Sequence, residues 1–98
     1  MSEIIDGVSI KLAGKDYNIP PLSFRQLRVL RKEMSMLDGI IGMPDDKQMG
    51  AVVTIVHAAL SRNYPDITND QVFDMIDLGN LKPTIHAIMG ISGLTQGE

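Results

Sequence analysis

The chain has 98 residues, a formal net charge of −3 and no cysteine. Disulfides, thiolate metal sites and a cysteine nucleophile are thereby excluded. With 44% hydrophobic and 21% charged residues, the composition is that of an ordinary globular domain, and one domain over residues 1–98 is expected.

Charge is unevenly placed. Residues 1–37 carry six Lys/Arg against four acids, or +2; residues 38–98 carry three against eight, or −5. The two halves can attract each other or face different partners. Two Phe, two Tyr and no Trp leave little for stacking on single-stranded bases. The opening MSEIIDG lacks the basic-then-apolar order of a secretory leader. The longest apolar run, Ala51 to Leu60, is too short to span a bilayer. Absence of cysteine fits a reducing compartment.

Val8-Ser9-Ile10-Lys11-Leu12 alternates apolar and polar residues, as a half-buried strand does. Ala13 to Asp16 supplies a turn, with Gly14 free to take positive φ. Tyr17 to Ile19 resumes the alternation until Pro20-Pro21 ends it. A β-hairpin over residues 8–19 follows, and it must lie on helices or on another chain to be stable.

Ser23 with Gln26 three residues on is a capping-box pattern. Phe24, Leu27, Leu30, Met34 and Leu37 recur at helical spacing, predicting one helix over residues 23–37. Arg25, Arg28, Arg31 and Lys32 give it a basic face. Residues 38–46 read as a connector containing Ile40, Ile41 and Met43. Asp45 or Asp46 can cap a helix over residues 47–62. Its Val52, Val53, Ile55 and Val56 favour a strand locally, but the length of the stretch favours a mostly buried helix.

Thr68 caps a third helix over residues 69–78, with Val72, Phe73, Met75 and Ile76 apolar. Asp70, Asp74 and Asp77, spaced i, i+4, i+7, share its opposite face. Pro83 suits the first turn of a fourth helix over residues 82–90, and residues 91–98 read as a flexible tail. The predicted class is α+β, mainly α: an N-terminal hairpin and a bundle of three to four helices.

No motif carries strong chemistry. The three aspartates lack the asymmetric environments of an acid/base pair and the convergence of a metal site. They read as a solvated helix face. His57 and His86 have no partner at a ligand spacing such as HExxH, and His57 sits at the edge of the core. No GxSxG elbow or phosphate loop is present. The basic face of the first helix can meet phosphates, but a net acidic domain argues against nucleic acid; a solvated face, one paired with the aspartates, or an acidic protein partner fits better. Seven methionines suit adaptable apolar contacts. Met34 and Met75 are expected in the core, and Met36, Met43 and Met49 partly exposed. No catalytic residue, metal or cofactor is expected.

"VSIKLAGKDYNIPPLSFRQLRVL" (residues 8–30) resembles the opening of the small tail assembly chaperones of tailed bacteriophages: a strand, a Gly-Lys-x-Tyr turn, a second strand ending in Pro-Leu, and a Ser-capped helix. "AALSRNYPDITNDQVFDMIDLGNL" (residues 58–81) resembles their middle, and "GISGL" (residues 90–94) their close. Residues 39–50 have no counterpart. The resemblance implies a non-enzymatic protein of the host cytoplasm. It would hold the long, apolar, helical tape measure protein soluble during tail tube assembly and be absent from the virion. Partners would be the tape measure protein and other tail proteins, with self-association compatible. A longer frameshifted product is common in such families. The client surface expected is the first helix extended by the connector: Phe24, Arg25, Leu27, Arg28, Lys32, Met36, Ile40, Ile41 and Met43. Alternatives from other classes are a minor structural tail protein and a small DNA-binding regulator using Arg25, Arg28 and Arg31.

Overall fold

The computed structural model describes residues 5–37 and 43–91. Two strands, β1 (Val8–Leu12) and β2 (Lys15–Ile19), precede five helices: α1 (Phe24–Val29), α2 (Arg31–Met36), α3 (Asp46–Ser61), α4 (Asn69–Met75) and α5 (Leu81–Ile91). The class is α+β and mainly α, as the sequence predicts. Of the segments read as connector and tail, residues 38–42 and 92–98 lie outside the described residues.

The strands pair antiparallel, from Val8 opposite Ile19 to Leu12 opposite Lys15. A two-residue loop joins them, with Ala13 at φ 53° and Gly14 at φ 80°. Positive φ at both positions matches the right-handed twist of a hairpin. Lys15 and Asp16 belong to β2, not to the turn. Leu12 and Ile19 are fully buried, and β1 packs on α5 while β2 packs on α3. The hairpin thereby gains the helical support it lacks alone.

Three side chains after the end of α3 hold the hairpin in place. The Arg62 guanidinium donates to the Pro21 carbonyl. Asn63 Nδ2 donates to the carbonyls of Ile5 (2.9 Å) and Asn18 (3.2 Å), and its Oδ1 accepts from Ile5 N (2.6 Å). The Tyr64 hydroxyl accepts from Asn18 N at 2.9 Å, and its ring meets Tyr17 edge-on, centroids 5.3 Å apart.

Three helices begin with a capping box whose third residue is Gln: Ser23 with Gln26, Asp45 with Gln48, and Thr68 with Gln71. In each, two backbone donors that lack helical partners are satisfied reciprocally. Gln26 also donates from Nε2 to Ala58 O at 2.8 Å, tying α1 to α3.

Helix α3 is the centre of the core. It buries Ala51, Val52, Val53, Ile55, Val56, Ala59 and Leu60. Burial of these residues outweighs their small individual bias against helix. His57 sits at the core edge, with Nε2 2.9 Å from Ile67 O. A carbonyl only accepts, so this nitrogen carries the proton.

Helices α3 and α5 match the sequence reading to within one residue at each end, and two other boundaries differ by more. The predicted first helix is divided at Leu30 (φ −93°, ψ 8°), which ends α1 and starts α2. No Gly or Pro stands there. Leu30 is buried in the core, and tertiary packing overrides local propensity. The predicted 69–78 helix ends at Met75, where Ile76 turns extended. Asn80 Nδ2 donates to Met75 O (2.9 Å) and terminates α4. Asp77 and Asn80 exchange bonds between side chain and backbone N–H, both 2.9 Å. Asp77 has therefore left the helix, and the three aspartates do not share one helical face. Pro83 lies in the first turn of α5, where its missing N–H costs nothing.

Candidate functional site: an apolar groove beside the central helix

Helices α3 and α4 and the start of α5 enclose an open groove. Val52 and Val53 of α3 and Leu81 of α5 form its floor. Phe73, Ile76 and Leu78 form one wall, and Met43, Pro44 and Met49 the other. Its volume is about 170 Å³. The floor is buried, whereas Met43 is 72% exposed, Leu78 64% and Phe73 50%. Each of the three leaves considerable apolar area in water, and clustered exposure of this kind marks an interaction surface.

Local structure explains why these side chains stay outside. Val72 and Met75 point into the core. Phe73 follows Val72 by about 100° around the helix, so it cannot join them. Leu78 lies in the turn closed by Asp77 and Asn80. Met43 enters α3 ahead of the Asp45 cap. The Gln48 amide reaches back from that cap toward Met36 O at 3.5 Å.

The residues expected from sequence to form one client surface are not all together. Phe24 is 90% exposed. It lines a separate shallow hollow with Leu27, Arg28, Arg31 and Met34. Arg25 and Lys32 are exposed and Met36 is half-buried. Ile40 and Ile41 lie outside the described residues. Met43 instead joins Phe73 and Leu78. The expected exposure of Met43, Met36 and Met49 is seen, and Met75 is buried, whereas Met34, also expected in the core, is only partly buried against it. Phe73, Ile76 and Leu78 were not among the expected client-binding residues. For Phe73 the signal was available: a helix with Val72 and Met75 inside must turn Phe73 out.

The groove rim is acidic. Asp77 lines it. Asp70 is exposed on α4, and Asp45 and Asp46 are exposed at the entry to α3; Asp74 instead lines a separate hollow with Tyr17, Tyr64 and Gln71. Lys82 is exposed in an adjoining hollow that shares Met43, Leu78 and Leu81, and Lys47 is exposed on α3. Among the described residues no ion pair joins the basic face of α1–α2 to these aspartates. Among the described residues no group of three His, Cys, Asp or Glu stands close enough to hold a metal ion, and no helix is long and apolar enough to cross a membrane. Comparison with family models, with curated proteins and with solved structures finds no match for this chain.

Proposed function

We propose that the chain is a tail assembly chaperone of a tailed bacteriophage, a binding protein that holds the apolar, helical tape measure protein soluble while the tail tube assembles. One observation carries the reading beyond the sequence resemblance: the open apolar groove rimmed by Met43, Phe73 and Leu78. A client of that kind presents large apolar side chains along a helix, and grooves of this form take such faces. Methionine at two wall positions, Met43 and Met49, suits an occupant of irregular shape.

The resemblance segments also have structural work in this fold, which supports reading them together. Gly14 of the Gly-Lys-x-Tyr segment lies in the loop that closes the hairpin, and Lys15 to Tyr17 open β2. The Arg62-Asn63-Tyr64 run clamps the hairpin to α3. Thr68 starts α4. In this role the protein acts in the host cytoplasm and leaves before the particle is complete.

Co-expression with the tape measure protein of the same genome tests the reading. The chain is expected to co-purify with that protein and to raise its soluble yield. Mass spectrometry of purified particles is expected to lack the chain. Its presence there at stoichiometric level would favour a minor structural tail protein instead.

A further inference from the structure

We propose that the groove takes a helical segment of a partner protein in which one large apolar side chain is flanked by lysines or arginines. The inference rests on the binding role proposed above and names the chemistry of its occupant.

Size sets the first constraint. A volume of about 170 Å³ is near the ~150 Å³ that admits a benzene-sized group. It falls below the roughly 300–1,000 Å³ of sites for drug-sized ligands. The hollow therefore receives a single anchor side chain, of the kind that dominates helix-in-groove contacts. Met43, Phe73 and Leu78 stand around it to cover the flanking turns of the incoming helix.

Charge sets the second. Asp77 lines the groove, Asp70 lies one turn before Phe73 on α4, and Asp45 and Asp46 follow Met43-Pro44. Lys82 lines an adjoining hollow with Met43 and Leu78, and Lys47 follows Asp46 in sequence. Four aspartates against two lysines leave −2 near an apolar hollow. Among the described residues no ion pair neutralises them. An occupant with acidic flanks meets repulsion here, and one with basic flanks is steered in.

Two designed amphipathic peptides, identical in their Leu/Phe stripe but flanked by Lys in one and Glu in the other, test this on the full chain by fluorescence anisotropy. Each exposed pair contributes modestly, so several together give a preference for the Lys peptide of about tenfold at low salt. That preference is expected to shrink as salt rises and to fall in the D46N/D70N variant. Phe73→Asp is expected to abolish binding of both peptides. Leu78→Asp serves in its place if circular dichroism shows that Phe73→Asp is unfolded. Equal binding of the two peptides overturns the charge assignment. Unchanged binding in folded groove variants overturns the site. Sedimentation at rising concentration is run alongside: oligomers that Phe73→Asp dissolves would mean a second copy fills the groove, which also overturns the proposal. Capture of the tape measure protein is measured in parallel. Capture that persists while these peptide results fail removes this inference and leaves the chaperone reading standing.

Discussion

Asp77 and Asn80 bond each other twice, each side-chain oxygen accepting from the other's backbone N–H at 2.9 Å. Asn80 also donates to Met75 O at 2.9 Å, and Asn80 O accepts from Thr84 N at 3.0 Å. One residue thus ends α4, shapes the turn and starts α5. The turn carries Leu78 to the groove rim. Replacing Asn80 with Ala is expected to lower stability by about 1–2 kcal/mol, the loss of neutral hydrogen bonds at a largely exposed turn. Chemical denaturation checks this. An unchanged midpoint would mean that the turn holds itself without the side chain.

Thr84 is fully buried, and its Oγ1 has no hydrogen-bond partner. A buried hydroxyl without a partner costs about 1–3 kcal/mol. Thr84→Val keeps the shape and removes that cost. The variant is expected to be more stable by about 1 kcal/mol, read as a raised melting temperature. A lowered one would show that the hydroxyl is satisfied in solution.

Two glycines should respond in opposite directions. A Cβ added at Gly7 would stand 1.9 Å from the Ile19 carbonyl oxygen, whereas one at Gly50, within α3, would meet nothing within 4 Å. Gly7→Ala is expected to destabilise by more than about 2 kcal/mol, since backbone must move. Gly50→Ala is expected to stabilise by about 0.5–1 kcal/mol through helix propensity. Paired denaturation curves decide both signs.

The hairpin loop places Ala13 at φ 53°, a conformation that disfavours Ala and suits Asn. Ala13→Asn creates the Asn-Gly pair preferred in such loops. A gain of about 0.5–1 kcal/mol is expected. A loss would indicate that the loop geometry differs in solution.

What was legible in the sequence was local. Ser23 with Gln26, and Thr68 before Asn69, announce helix starts because a cap acts over three residues. The hairpin was legible because alternation and Gly14 lie within twelve residues. Helix α3 was legible through length, against the β-branched bias of Val52 to Val56. The division at Leu30 was not, because core packing rather than any breaker sets it. The end of α4 was not, because it depends on Asn80 reaching back to Met75. The groove was least legible. Its walls meet across thirty positions, Met43 facing Phe73, and the sequence alone joined Met43 to Phe24 instead.

The proposed role places the tape measure protein in the groove beside α3. Pull-down of co-expressed tape measure protein by the wild-type chain, by Leu78→Asp and by Phe24→Asp measures it most directly. Both sites are exposed, so both variants are expected to fold. Capture is expected to drop at least about tenfold in Leu78→Asp, as for loss of an anchor contact, and to stay near wild type in Phe24→Asp. Full capture by a folded Leu78→Asp, with loss in Phe24→Asp, would contradict binding in the groove and move the client to the basic face of α1.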